Sequence, residues 1–252
     1  MEPILEARDL EKVFHRRGMP DLTAVNGVSF SLYEGEALAI VGESGSGKST
    51  VARMAARLTD PTRGTLLLDG RDVTRAKGAQ AQEIYRKLQM VFQTPVDSFD
   101  PRRTLGDAVG ESLRNSGLPR REVRERTAAL LEECGLPADF ARRYPHQVSG
   151  GQCQRAAIAR AIAIRPRILI CDEATSALDV TVQQQIIELL RSLRRQYGMA
   201  YLFICHDLAL VQQFCDRVLV MRQGRIVEEG TPGEVILSPK TEYAKMLVDS
   251  VL

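Results

Sequence analysis

The sequence predicts an α/β fold: a largely parallel sheet at the centre, an N-terminal antiparallel β subdomain, and an α-helical subdomain inserted into the core. Three observations lead there. The apolar run Ala37-Leu38-Ala39-Ile40-Val41 looks like a buried strand; a glycine-rich stretch follows it, then the helix-like Val51-Ala52-Arg53-Met54-Ala55-Ala56-Arg57-Leu58. Further apolar runs at 168–171, 201–205 and 218–221 alternate with helical patterns, which is how a mainly parallel sheet reads. From Thr94 to about Ile162 the strand runs vanish and helical spacing takes over.

Taken in order, residues 4–36 read as short strands and turns. Leu5-Glu6-Ala7-Arg8-Asp9-Leu10 and Val28-Ser29-Phe30-Ser31-Leu32 alternate in part, and Glu34-Gly35 turns the chain into the first core strand. Phe14 sits in the polar stretch Lys12-Val13-Phe14-His15-Arg16-Arg17, where an aromatic either stacks on a base or simply packs. Leu66-Leu67-Leu68-Asp69-Gly70 reads as strand and turn of an antiparallel sheet, and Gln89-Met90-Val91-Phe92 as a buried strand ending at Gln93. In the helical stretch Val123, Thr127, Leu130 and Leu131 share a face, with loops at Gly117-Leu118-Pro119 and Gly135-Leu136-Pro137. The core resumes with Ile168-Leu169-Ile170-Cys171 and an amphipathic helix carrying Val182, Ile186, Leu189, Leu190 and Leu193 on one side. Two strands follow, and Ser238-Pro239 is expected to cap and open a short helical tail.

Composition narrows the class. A chain of 252 residues buries a full core as one large domain, and 44% hydrophobic with 26% charged residues is ordinary for a soluble globular protein. Lys and Arg total 34 against 32 Asp and Glu, a balance that leaves no nucleic-acid footprint. No apolar run approaches the roughly 18 residues that span a bilayer. The start, Met1-Glu2-Pro3-Ile4-Leu5-Glu6, has neither a basic nor an apolar signal region, so no secretory signal is expected. Cys134, Cys153, Cys171, Cys205 and Cys215 include no Cys-x-x-Cys pair and read as scattered reduced thiols of a cytosolic protein.

The chemistry concentrates in three places. Gly42-Glu43-Ser44-Gly45-Ser46-Gly47-Lys48-Ser49-Thr50 stands between a strand and a helix, the context a phosphate-binding loop requires. Its glycines let successive N–H groups face one point, and a polyphosphate there meets the positive end of a helix dipole. Lys48 would reach the β- and γ-phosphates and the Ser49 hydroxyl would ligate Mg²⁺. Asp172-Glu173 closes a core strand, where one carboxylate can hold the metal and the next can activate water. Ser149-Gly150-Gly151-Gln152 opens a helix and makes a second anion-binding N-terminus, although one nucleotide has no need of two.

Together these motifs resemble the ATP-binding subunit of an ABC transporter, over nearly the whole chain. Residues 42–49 resemble the Walker A motif and 168–173 the Walker B motif with its catalytic glutamate. Val148-Ser149-Gly150-Gly151-Gln152 resembles the family signature, with valine for the usual leucine. Gln93 matches the Q-loop glutamine, Ser176-Ala177-Leu178-Asp179 the D-loop and His206 the switch histidine; Ala174-Thr175 replaces a common Pro-Thr. Phe14 falls where the family stacks adenine, with Val25 beside it. The resemblance implies a P-loop NTPase (RecA-like) core over 1–93 and 162–238, a helical signature subdomain over 94–161 and a helical tail over 239–252. It further implies a head-to-tail dimer in which ATP lies between Walker A of one subunit and Ser149, Gly150, Gly151 and Gln152 of the other, with Asp179 at the same junction. Ser49, Gln93 and Asp172 would order Mg²⁺, Glu173 would activate water, and His206 would contact the γ-phosphate.

Several stretches look like the oligopeptide, dipeptide and nickel importer branch, among them Tyr144-Pro145-His146-Gln147, Asp179-Val180-Thr181-Val182-Gln183 and His206-Asp207-Leu208-Ala209-Leu210-Val211. Phe214-Cys215-Asp216-Arg217-Val218 is similar to the nickel-type members. Many members carry a further C-terminal extension, which this chain, ending at Leu252, is expected to lack. The branch implies two membrane permease subunits, a second ATPase subunit of like or unlike chain, and an extracytoplasmic solute-binding protein. It also implies a peripheral place on the cytoplasmic side of a bacterial or archaeal plasma membrane, with the permease helices received near residues 93–103. Two other readings stay open: a non-transport ABC ATPase such as an accessory of a phosphonate-cleaving complex, and a P-loop small-molecule kinase. The kinase has no use for the Ser-Gly-Gly-Gln loop.

Overall fold

The computed structural model describes residues 2–15, 18–176 and 178–249. In chain order the elements begin with β1 (Leu5–Phe14), β2 (Leu22–Leu32), β3 (Ala37–Val41), α1 (Lys48–Ala55), β4 (Arg63–Leu68) and β5 (Arg71–Asp72). Next are α2 (Ala79–Lys87), β6 (Leu88–Val91), α3 (Leu105–Val109), α4 (Glu111–Asn115), α5 (Arg120–Glu133) and α6 (Gly150–Ile162). The rest comprises β7 (Ile168–Asp172), α7 (Val180–Tyr197), β8 (Ala200–Ile204), α8 (Leu208–Phe214), β9 (Arg217–Arg222), β10 (Arg225–Gly230), α9 (Pro232–Leu237) and α10 (Glu242–Asp249).

Two sheets result. One is antiparallel in the order β2-β1-β4-β5; the other is six-stranded in the order β10-β9-β3-β8-β7-β6 and parallel except at the β9–β10 edge. Strand alternation explains why the central runs read as continuously apolar. Leu38, Ile40, Ile168, Ile170, Leu202 and Ile204 face the antiparallel sheet and α1, while Ala39, Val41, Leu169, Cys171, Tyr201 and Phe203 face the helices on the other side. Each leucine, isoleucine, valine or phenylalanine among them, fully withdrawn from water, contributes on the order of 2 kcal/mol. The helical face is locked by Phe214, edge-on to Tyr201 at 5.1 Å and to Phe203 at 5.4 Å.

The helical stretch after β6 holds α3 to α6, and α5 buries Val123, Thr127 and Leu131 on one side as its spacing predicts. Helix α7 buries Ile186, Leu189, Leu190 and Leu193, joined by Ile187. The tail needs a correction. Ser238 ends α9 instead of capping a helix, and the capping falls to Thr231 before Pro232 and to Thr241 before α10. Thr231 carries the full reciprocal box with Glu234, which makes it the stronger start. Residues 250–252 of the tail, Ala177 of the D-loop and the Arg16-Arg17 pair beyond Phe14 lie outside the described residues. All five cysteines are buried and unpaired in disulfides; burial pushes the Cys134 and Cys205 thiols up to about 12, so they stay protonated. No helix among the described residues is long and apolar enough to cross a membrane.

Candidate active site

The parallel sheet brings the motifs together at its carboxyl edge, where open α/β sheets hold ligands. β3 runs into the glycine loop, β8 leads to His206, β7 ends on Asp172 and β6 leads to Gln93. These four strands are successive neighbours, so residues scattered from Gly42 to His206 emerge side by side.

Sterics shape the loop. Gly42 (φ +147°) and Gly47 (φ +104°) occupy backbone conformations that other residues rarely adopt, and a Cβ at either would overlap a carbonyl oxygen, of Met221 and Ala24 respectively. Gly47 caps α1 without a side chain, so the first N–H groups of α1 are open to an anion. The Lys48 ammonium is buried and donates to the carbonyls of Gly42 and Glu43, each at 2.7 Å, and to Ser46 Oγ at 3.4 Å. Burial lowers its pKa, and the charges of Glu173 and Asp172 oppose that fall. Among the described residues no carboxylate pairs with it directly, which leaves its charge available to a phosphate.

The carboxylates sit where the sheet predicts. Ser49 Oγ donates to Asp172 Oδ1 at 2.8 Å, and burial raises the Asp172 carboxyl above its ordinary range. Glu173 follows in the left-handed region at φ +47°, a strained position for a residue with a Cβ, held by its N–H to the Ile204 carbonyl at 3.0 Å. That turn swings its side chain away from the strand axis, and Gln93 Nε2 donates to Glu173 Oε2 at 2.7 Å.

A cleft of 330 Å³ brings most of these groups together, while Asp172 lines the cleft beside it. Ser44, Gly45, Gly47, Lys48, Ser49 and Thr50 line it together with Gln93, Glu173 and Phe14. Phe14 is 39% exposed there, with Lys12 Nζ 5.2 Å from its ring centre. Val25 is corrected: its side chain is fully buried in the core, and Leu22 and Ala24 line the cleft instead. Along β2, Val25 faces the core and Ala24 the opposite side, and cross-strand pairing sets Leu22 directly beside Phe14. Sequence reasoning missed both, since no polar signature marks them; only the register of β2 does.

The second anion loop stands apart. Ser149, Gly150, Gly151 and Gln152 do not line the cleft. Ser149 caps α6 and accepts from Gln152 N–H, while the Gln152 side chain accepts from Ser149 N–H at 2.9 Å. Ser149 and Gly150 are exposed. A Cβ on Gly150 would lie 3.7 Å from Leu178, and one on Gly151 would lie 2.6 Å from Val182, so the loop packs on the D-loop and α7. Asp179 is exposed and caps α7 through Val182 N–H at 3.0 Å; His206 is exposed just past β8.

Comparison with known proteins bears on the family. The family model described as ABC transporter matches residues 25–176. The oligopeptide transport ATP-binding protein OppF of Salmonella typhimurium is 46% identical over 232 residues, covering 91% of this chain and 70% of that protein. The glutathione import ATP-binding protein GsiA of Escherichia coli O6:H1 is 45% identical over 257 residues, covering 99% of this chain but only 41% of GsiA. Among solved structures, the dimeric post-hydrolysis state of the ATP-binding cassette MJ0796 bound to ADP and Pi has a TM-score of 0.83 at 30% identity, covering 90% of this chain and 98% of that one. CbiO1 from Clostridium perfringens, part of the ABC transporter complex cbiONQ, has a TM-score of 0.82 at 28% identity, covering 94% and 92%. With more than half of the chain matched by one family model, and with relatives and folds in agreement, the chain belongs to the ABC transporter family.

Proposed function

We propose that this chain binds and hydrolyses ATP to power solute import, as one of two ATPase subunits beneath a membrane permease. One observation carries the reading: of the glycine-motif helix starts at α1 and α6, only that of α1 lines the cleft. A second cassette turned head to tail would set its Ser149, Gly150 and Gly151 against this chain's loop, and both starts would then find phosphate. The similarity to oligopeptide and glutathione import proteins supports peptides or related small solutes as cargo. Because the chain spans less than half of GsiA, that protein's substrate is not carried over with its name.

Each residue has a role that follows from its chemistry. Lys48 and the N–H groups of the loop and α1 bind the phosphates and neutralise charge that develops on the transferred group. Ser49 and Asp172, already 2.8 Å apart, form with Gln93 an oxygen-only donor set suited to Mg²⁺, which keeps waters and phosphate oxygens as further ligands. When bound, Mg²⁺ would offset negative charge on the phosphate oxygens. Glu173 takes a proton from the attacking water, and the Gln93 amide fixes which carboxylate oxygen is left for it. His206 donates to the γ-phosphate, and Phe14 stacks on the base. A neighbouring cleft of 540 Å³, lined by Gln93, Thr94, Ser98 and Arg160 among others, would receive the permease, linking transport to the γ-phosphate through Gln93. The subunit then works at the cytoplasmic face of the plasma membrane, with a solute-binding protein engaged only through the permease.

Glu173→Gln tests this. The variant keeps the hydrogen bond to Gln93 and loses the base, so in Mg-ATP it accumulates as a nucleotide-bound dimer on sizing, alone or with an unlike cassette. A variant that binds ATP yet stays monomeric in both settings removes the two-subunit site.

A further inference from the structure

The C-terminal helix reaches back to the phosphate loop. Tyr243 on α10 is only 4% exposed, and its hydroxyl accepts a 3.0 Å hydrogen bond from the backbone N–H of Glu43. The carbonyl of that same peptide unit belongs to Gly42, and it accepts from the Lys48 ammonium at 2.7 Å. One planar peptide is therefore gripped at both ends, by tyrosine on one side and lysine on the other. Each bond polarises the peptide in the sense that strengthens the other. The peptide cannot rotate without losing both.

Packing holds the tyrosine in turn. The Arg222 guanidinium lies 4.7 Å from its ring centre. The end of β9 crowds the gripped peptide itself, since a Cβ on Gly42 would overlap the Met221 carbonyl. The Glu43 N–H thus points to α10 and is not among the donors that meet a phosphate.

We propose that Tyr243 is a positioning residue: its hydroxyl sets the plane of the peptide joining Gly42 to Glu43, and through it the seat of Lys48. The proposal rests on the ATP-hydrolysis reading above. Nucleotide affinity draws on many N–H groups of the loop and α1, so it survives loss of the hydroxyl. Alignment of one ammonium on the reacting phosphoryl oxygens does not.

Tyr243→Phe in the full chain keeps the ring, its burial and Arg222 above it, and deletes only the hydroxyl. The expected result is a fall in kcat for ATP of about tenfold with the Kd for a fluorescent N-methylanthraniloyl ATP within about twofold of wild type, the pattern of a contact made in the transition state. Val248→Ala, buried on the same helix, thins the packing of α10 and leaves the hydroxyl. It should lower the melting temperature and leave kcat unchanged at an assay temperature well below the melt. A wild-type kcat in Tyr243→Phe overturns the proposal. So does an equal loss of kcat in both variants, which would make α10 a stability element alone. Absence of hydrolysis in the wild type, tested with its partner cassette, is a separate failure: it takes down the functional reading and the role of Tyr243 with it.

Discussion

The glycine-bearing starts of α1 and α6 are built in opposite ways. At α1 the cap is Gly47, no side chain closes the helix, and the surrounding chain imposes the shape: Met221 and Ala24 crowd the glycines, and Lys48 is buried beneath. At α6 the cap is Ser149, which with Gln152 completes its own reciprocal box, and Ser149 and Gly150 stand exposed. The first is a cleft moulded by the tertiary fold; the second is a self-contained face presented outward. A buried cation with no carboxylate partner among the described residues and an exposed, prefolded set of N–H donors are complementary halves. That is the geometry expected of a site completed by another subunit.

Substitutions separate the halves, and the first should have the largest effect. Lys48→Ala should reduce phosphate release about 10³-fold or more, because a charge aimed at the transferred group in a desolvated cleft is worth several kcal/mol. Retention of a substantial fraction of activity would mean that the cleft is not where phosphate reacts. Ser149→Arg should lower hydrolysis about 10²-fold while ATP affinity in equilibrium dialysis stays within about threefold, since the bulky cation spoils only the outward half. Loss of binding in that variant would place both halves around one nucleotide within one chain. Phe14→Ala should weaken ATP binding by about three- to tenfold, the worth of one base-stacking ring, and leave kcat at saturating ATP unchanged. Smallest of all, Gly151→Ala should cost about 1 kcal/mol in a thermal melt, as its methyl presses on Val182 and α7 gives way. A loss well beyond that would show that the D-loop side of α6 cannot yield.

Much of this is legible in the sequence alone. The runs at 37–41, 168–171 and 201–205 are buried on both faces, so they are apolar throughout and stand out in sequence. The phosphate loop is equally plain, because the backbone angles it needs are available almost only to glycine. Strand β10 was not legible: Arg225-Ile226-Val227-Glu228-Glu229-Gly230 is a polar edge strand whose partner is β9 across the tight turn at Gln223 and Gly224. Helix α2 buries only Ile84, too little for a period to show. The tail misled for a related reason. Ser238-Pro239 has the local chemistry of a helix start, but α9 had already begun at Pro232 behind a stronger cap.

By itself, then, the sequence determined the glycine-defined loop, the strands wholly inside the sheet and the order of the motifs, since each depends on local sterics or on burial that leaves a continuous apolar record. Only the tertiary structure decided which side chains face the cleft. Val25 turned inward, Leu22 and Ala24 took its place, and Gln93 met Glu173 although 80 residues separate them. It also decided that Tyr243 would hold a peptide of the phosphate loop from 200 residues away. Strand register and the parallel order of the sheet fix those meetings, and both are set by packing between distant segments that no local pattern encodes.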